Sequence, residues 1–205
     1  MRKLVRIGSG AGFSGDRLDP AVVLAERGAL DYLALECLGE RTVALAQLRK
    51  RHDSSTGFDP LLERRMELPL PPLKRNGIRL ISNFGAANPI AAGDLVGAIA
   101  RRLGIPVTVA VVTGDDVLDL LPPDAVALES GRPLADYGRL VSAKAYLGIE
   151  ALLPALRTGA DVIIAGRVAD PSLGRRGGRS PSIRTAQCWS SGLRVGTLKS
   201  MHSRL

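Results

Sequence analysis

Short, uninterrupted apolar runs separated by helix-like segments are the feature that most constrains how this chain can fold. Runs such as VTVAVV (107–112) and DVIIAG (161–166) contain too few polar residues to have one face in water. The segments between the runs are amphipathic and have helix start and stop residues. The pattern predicts an α/β fold with a mainly parallel sheet and flanking helices. Strands are expected at 3–7, 31–36, 78–82, 107–112 and 161–166.

Residue types at the segment ends predict where helices begin and end. Asp19 and Pro20 are typical of a helix start, and Gly28 is typical of its end. Residues 40–51 have an acid first and three bases last, as the helix dipole favours. The proline-rich stretch LPLPPLKRNG (68–77) predicts an extended connector. A further helix is expected within 137–158.

Composition limits the class of protein. The 205 residues suit one domain, and 45% of them are apolar but only 3% aromatic, so Leu, Val, Ile and Ala must build the core. No apolar run approaches the roughly 20 residues of a membrane span. A glycine-rich stretch follows the first residues where a signal peptide would be apolar, so a soluble cytoplasmic protein is expected. Two Cys and two His, without metal-ligand spacing, indicate no metal site.

The basic charge is concentrated in residues 174–205. The chain has a net charge of +8, and this tail contains seven Arg or Lys and no acid, so the body is close to neutral. The tail also lacks apolar periodicity, which predicts that it is disordered and outside the packed domain. Its Arg, Gly and Ser content is typical of GC-rich DNA translated out of frame. The alternative is a basic arm for nucleic acid, which we consider the weaker interpretation.

Each predicted strand leads into a loop rich in Gly, Asn, Asp, Ser or Thr. In an open parallel sheet, ligands bind at the carboxyl ends of the strands. We therefore expect Gly10, Asn83, Asp115 and Arg167 to lie along one edge, within the breadth of one small-ligand pocket. The competing interpretation is that such loops are ordinarily polar and contain glycine. The four loops are GSGAGFSGD (8–16), NFGAAN (83–88), TGDD (113–116) and RVADPS (167–172).

The first of these loops matches a dinucleotide-binding pattern literally. Residues 10–15 read GxGxxG, and Glu36 stands where a ribose-binding acid would be. In that motif the helix opens directly after the glycines, whereas here Asp16 intervenes and the helix signal comes only at Asp19. A loop that wraps a ligand with its backbone N–H groups is favoured over an NAD-type site.

Candidate site residues follow from these loops. Asp115 and Asp170 are candidates for a general base or for a ligand of a metal-bound water, although either could be a helix cap. Arg167 is a candidate anchor for a carboxylate or phosphate, although it could simply pair with Asp170. The residues expected to bind substrate are Gly8, Ser9, Gly10, Ala11, Gly12, Gly15, Asp16, Asn83, Asn88, Asp116 and Arg167.

Six ordered blocks resemble the acyclic terpene utilisation AtuA-like family over residues 4 to about 173. They are RIGSGAGFSGDR, DYLALECLGE, ISNFGAANP, VVTGDD, SAKAYLG and GADVIIAGRVADPSL. The resemblance implies an enzyme or enzyme subunit of acyclic terpene or branched acyl-CoA catabolism, with a small anionic or acyl-CoA-type ligand. It identifies neither a reaction nor a cofactor.

The resemblance also bears on the extent of the domain. Family members are considerably longer, which implies that residues 1–173 are the N-terminal portion of a truncated domain. A non-catalytic nucleotide- or acyl-CoA-binding subunit and an inactive truncated product are the alternative functions. A membrane or nucleic-acid partner is not expected, and self-association into a homo-oligomer is a further expectation.

Overall fold

Five parallel strands form the central sheet. The structure is a computed structural model that describes residues 4–122, 124–169 and 173, together with the backbone of 185–190 and 193–199. The strand order is β1-β2-β3-β5-β4, with every neighbouring pair parallel. The predicted α/β fold with a mainly parallel sheet is therefore confirmed. The strands are β1 (Ile7–Ala11), β2 (Tyr32–Leu35), β3 (Arg79–Ser82), β4 (Thr108–Thr113) and β5 (Val162–Ala165).

Six α-helices connect and cover the strands within the described residues. The helix predicted from Asp19 ends at Arg27, before Gly28, and the helix predicted at 40–51 is also present. Short 3-10 turns lie at Leu118–Leu120, Leu134–Tyr137 and Ile149–Ala151. The α-helices are α1 (Asp19–Arg27), α2 (Glu40–His52), α3 (Leu62–Glu67), α4 (Leu70–Asn76), α5 (Pro89–Arg102) and α6 (Leu153–Arg157).

Apolar side chains are buried on both faces of the sheet, which is why the strand runs are continuous. Leu80 and Ile164 belong to the cluster that packs against α1, α3, α4 and α5. Ile81 and Ile163, the neighbouring positions, belong to a second cluster that contains Leu152 and Ala155. Because successive strand residues point to opposite faces, both faces need apolar residues.

Strand β1 lies further along the chain than the predicted strand at 3–7. It spans Ile7–Ala11, so the glycine stretch itself pairs with β2. A Cβ atom on Gly10 would lie 2.8 Å from the Leu35 side chain and 2.9 Å from Ala21 of α1. The glycine is needed because the helix packs directly on the strand at this point.

The proline-rich stretch 68–77 is a helix, not the predicted extended connector. Helix α4 has Pro69 at its N-cap and two further prolines in its first turn, where the missing N–H groups are not needed. Gly77 ends the helix with φ of +64°. Leu70 and Leu73 are buried in the core, and this packing decides the conformation.

The segment predicted as a helix within 137–158 is mostly irregular. Only Leu153–Arg157 forms an α-helix. Residues 143–147 instead run beside the ends of β4 and β5, where Ala145 donates to the Asp115 carbonyl (2.7 Å) and Leu147 to the Arg167 carbonyl (3.2 Å). The backbone groups are satisfied by tertiary contacts instead of by a helix.

Two strands in the tail extend the sheet. β6 (Thr185–Ser190) pairs antiparallel with β4, and β7 (Leu193–Lys199) pairs antiparallel with β6. The expectation that residues 174–205 are disordered and lie outside the packed domain stays a prediction. Strand β4 is the last parallel strand, and its free backbone groups are those with which β6 pairs. The out-of-frame origin of the tail stays a prediction, as does the truncation of the domain.

Candidate functional site

Polar residues line the carboxyl edge of the sheet from β1 to β4. Gly10 lies in β1 and Asn83 follows β3 directly. Arg167 is the second residue after β5, and Asp115 is the second residue after β4. The strand order places Gly10 and Asp115 four strand spacings apart, about 19 Å at roughly 4.8 Å per spacing. The residues share one edge, as expected, but they form two clusters and not one small pocket.

The first cluster is the glycine loop, residues 8–16, which includes most of β1 and the turn that follows it. A cavity of about 310 Å³ opens there, lined by Ser9, Gly10, Ala11, Gly12, Asp16, Arg17 and Pro20. The Asp16 carboxylate accepts hydrogen bonds from the N–H groups of Gly12 and of Phe13 (3.1 Å). The amides that were expected to wrap a ligand are therefore held by the chain's own carboxylate.

The remaining glycines of this loop have packing roles. A Cβ atom on Gly8 would lie 2.5 Å from the Leu30 side chain, and one on Gly15 would collide with the Phe13 ring. Helix α1 begins only at Asp19. Its N-terminus is thus separated from the glycines, and the loop lacks the direct loop-to-helix geometry of a dinucleotide-binding motif.

A buried ion pair lies beneath the glycine loop. Arg65 of α3 and Asp59 have side chains that are 2% and 1% exposed, and Arg65 Nε lies 3.2 Å from Asp59 Oδ2. Arg65 also donates to the carbonyls of Ser14 (2.7 Å) and Asp16 (3.3 Å). Burial raises the pKa of the Asp59 carboxyl, and the Leu61 amide and the Arg65 guanidinium oppose that rise. The pair anchors the loop from below.

Cys37 lies beside this ion pair and is fully buried. Burial raises the pKa of the Cys37 thiol to about 12, with the Arg65 guanidinium opposing the rise. At neutral pH the group is a protonated thiol, and the thiolate is the reactive form. Cys37 is therefore a core residue and not a nucleophile.

We expect Cys37 to resist alkylation in the folded protein. In a Cys188→Ser background, iodoacetamide at pH 7.5 should label Cys37 only after denaturation, because the folded thiol is both buried and protonated. Mass spectrometry of protein labelled with and without guanidinium chloride measures this. Complete labelling of the native protein within minutes would show that the thiol is accessible and contradict the placement.

Asn83 joins the ends of β2 and β3. Its carboxamide oxygen accepts from the Cys37 amide (2.8 Å), and its Nδ2 donates to Glu36 Oε1. Asn88 caps α5 and donates to the carbonyls of Ser54 (2.9 Å) and Thr56 (2.8 Å). Both side chains thus hold loops in place in this structure.

The second cluster surrounds Asp115 at the end of β4. Asp115 is buried, and its Oδ2 accepts from the Arg167 amide (2.9 Å) and lies 3.4 Å from Lys144 Nζ. The same ammonium group lies 3.1 Å from Oδ2 of Asp116, which is half-exposed. A Cβ atom on Gly166 would lie 2.5 Å from Asp115 Oδ2, so glycine leaves the space that the carboxylate occupies. One lysine is thus held between two carboxylates, one buried and one facing solvent.

Arg167 connects the second cluster to helix α2. Its guanidinium donates to the Leu38 carbonyl and lies 3.9 Å from the centre of the Tyr146 ring. Its Nη2 lies 3.5 Å from Oε1 of Glu40, the first residue of α2. Tyr146 donates its hydroxyl hydrogen to the same carboxylate. This hydrogen bond, followed by one from the backbone of Glu40 itself and by the Arg167 charge, lowers the pKa of Glu40.

Several residues of these clusters were not expected to take part. Asp170 lies outside the described residues. Within the described residues, no group of three His, Cys, Asp or Glu side chains could hold a metal ion. Glu40, Lys144 and Tyr146 lie inside two of the family-like blocks but carried no predicted role, and nothing in the sequence marked Asp59 and Arg65.

The fold and the polar carboxyl edge of the sheet define the class of the protein. It is an open α/β protein that has charged residues in two clusters at the carboxyl ends of its strands. Residues 5–174 match the model of the acyclic terpene utilisation family protein AtuA. The chain therefore belongs to this family. No curated protein and no solved structure matches the chain. No helix among the described residues combines the length and the apolar character that a membrane crossing requires.

Proposed function

We propose that the chain is an enzyme, or an enzyme subunit, that acts on acyclic terpenoid acids or on the corresponding branched acyl-CoA thioesters. Membership of a family named for acyclic terpene utilisation supports the substrate class. The observation that carries the proposal is the buried Asp115 carboxylate beside Lys144, at the carboxyl end of β4 and next to Arg167 on the neighbouring strand. This is the edge at which open parallel sheets bind ligands.

The Asp115–Lys144 pair has the chemistry of a proton-transfer site. A carboxylate can accept a proton as a general base. An ammonium group can stabilise negative charge that develops on a carbonyl oxygen. In the proposal, Asp115 or Asp170 is the base, and Lys144 is the electrostatic partner. The Arg167 amide and the space left by Gly166 hold the Asp115 carboxylate in position.

The glycine-loop cavity would accommodate a small part of the same substrate. Its volume of about 310 Å³ lies at the lower end of the range of ligand sites. Arg17, which is exposed and lines the cavity, is the cation of this site and pairs with Asp19 at 2.6 Å. The Gly12 and Phe13 amides would serve a phosphate or carboxylate only if the Asp16 carboxylate moved away.

Binding and turnover are tested separately. Isothermal titration measures the affinity of geranate, its CoA thioester and CoA alone, and mass spectrometry measures incorporation of solvent deuterium into the thioester. We expect the wild type to bind the acid or the thioester and to incorporate deuterium. Asp115→Asn should lower the rate of incorporation by about 10²- to 10⁴-fold, the usual contribution of a general base.

The matched control is Asp119→Asn, on the exposed 3-10 turn that follows the cluster, which should leave affinity and rate unchanged. A wild-type protein that binds none of the three probes would contradict the proposal. Binding without deuterium incorporation would instead support the non-catalytic binding subunit.

A further inference from the structure

The ion pair between Arg167 and Glu40 joins a buried cation to an exposed anion. The Arg167 side chain is 4% exposed, whereas the Glu40 side chain is 79% exposed. The guanidinium is held in place by the Leu38 carbonyl and by the Tyr146 ring. The carboxylate lies at the end of a flexible side chain that solvent can reach on most sides, so it can leave without disturbing the core.

The position of the Glu40 carboxylate has the features of an anion site. It receives a hydrogen bond from the Tyr146 hydroxyl, and it lies 3.5 Å from Arg167 Nη2. It also lies at the first turn of α2, a helix of 13 residues whose N-terminal end favours negative charge. Arginine together with a hydroxyl donor is a common way to bind a carboxylate or a phosphate.

We propose that Glu40 is an internal competitor for the anionic group of the ligand, and that this group replaces the Glu40 carboxylate on Arg167 and Tyr146 when the ligand binds. The inference rests on the proposed function. It makes Glu40 a residue that sets the affinity for anionic ligands. Arg167 is then an anion anchor whose site is occupied by the chain itself when no ligand is bound.

The Arg167–Glu40 ion pair should have a small effect on stability and should weaken the binding of external anions. Because the Glu40 carboxylate is largely exposed, solvent screens its attraction to Arg167, and Arg167 keeps the Leu38 carbonyl and the Tyr146 ring as partners, so the loss of the Glu40 charge should hardly change folding. The same small interaction must be broken before an external anion can bind, which weakens binding in the wild type. Removing the charge of Glu40 should therefore strengthen binding of anions and leave neutral analogues unaffected.

The test compares wild type, Glu40→Gln, Tyr146→Phe and the double variant by isothermal titration. The probes are geranate, its methyl ester, the CoA thioester and CoA alone. We expect Glu40→Gln to bind the anionic probes, geranate or the CoA compounds, about two- to fivefold more tightly, the range that follows from losing a solvent-screened ion pair. The methyl ester should bind wild type and Glu40→Gln equally. Tyr146→Phe removes one donor from the site, so the gain on removing Glu40 should be smaller in the double variant.

Matched controls separate the possible outcomes. Glu63→Gln removes an exposed carboxylate that lies 2.9 Å from Arg102, on α3 and away from the edge, and should change no affinity. A gain for geranate but not for CoA would assign the site to the acid, and the reverse would assign it to a phosphate of CoA.

Equal or weaker anion binding by Glu40→Gln, with binding by the wild type intact, would overturn this inference and leave the proposed function standing. Failure of both proteins to bind any probe would overturn the proposed function and this inference with it.

Discussion

Replacing Asp59 by asparagine is expected to lower the free energy of unfolding by about 3–5 kcal/mol, because the change leaves a buried guanidinium without its counter-ion. Arg65 is 2% exposed and cannot reach water where it stands. Its remaining partners would be the carbonyls of Ser14 and Asp16, which are neutral. Urea denaturation of the two proteins measures the difference.

A matched exposed pair provides the control for this prediction. Arg132 and Asp136 lie 3.8 Å apart with side chains that are 59% and 49% exposed. Asp136→Asn removes the same charge type from a solvated pair and should cost no more than about 1 kcal/mol. Hydrogen exchange at the Phe13 and Asp16 amides should also accelerate in Asp59→Asn, since Arg65 anchors that loop. A loss below about 1 kcal/mol in Asp59→Asn would show that the buried pair contributes no more than an exposed one.

The second large effect is expected from Gly85→Ala. A Cβ atom at this position would lie 2.6 Å from the Ala165 carbonyl oxygen and 2.8 Å from Pro89. Both neighbours are backbone or ring atoms that cannot rotate away, so the loop after β3 must separate from β5. The Gly85 amide would then lose its 3.1 Å hydrogen bond to Ala165. Overpacking and the broken hydrogen bond together should cost about 2–4 kcal/mol, measured by urea denaturation.

The same substitution at Gly97 is the control for backbone crowding. Gly97 lies in α5, and its nearest neighbour to an added Cβ is the end of the Arg101 side chain, at 3.5 Å. Alanine should fit there and stabilise the helix by about 0.5–1 kcal/mol. If Gly85→Ala were as stable as Gly97→Ala, the loop after β3 would not approach the end of β5 this closely in solution.

Much of the fold could be predicted because the determining interactions are local. The apolar runs of β3, β4 and β5 require burial on both faces whatever their neighbours are. Helix α1 begins at Asp19 and ends at Arg27 before Gly28, since helix end signals act within one turn.

Where packing outweighs a local preference, the prediction was wrong. The prolines of α4 read as an extended connector, yet Leu70 and Leu73 bury well only when that stretch is helical. The glycines of β1 read as a loop, yet they pair as a strand because α1 needs their space.

Some residues of the candidate site could likewise be predicted from the sequence, and others could not. Asp115 and Arg167 could be assigned to one edge because parallel strands end on the same side. Their partners could not, since Tyr146 and Glu40 are 106 residues apart and Arg167 and Glu40 are 127 residues apart. No spacing rule connects positions that far apart, so only the folded arrangement of the loops brings them together.

The sequence by itself determined the class of fold and the side of the sheet on which charged residues collect, because burial and strand direction follow from local composition. Only the tertiary structure decided which charges meet. Strand β5 lies between β3 and β4, and this order brings Arg167 to Asp115 while leaving the glycine loop about 19 Å away at strand spacing. The order of strands in a sheet depends on how helices and loops pack across it, and that packing is a property of the whole chain.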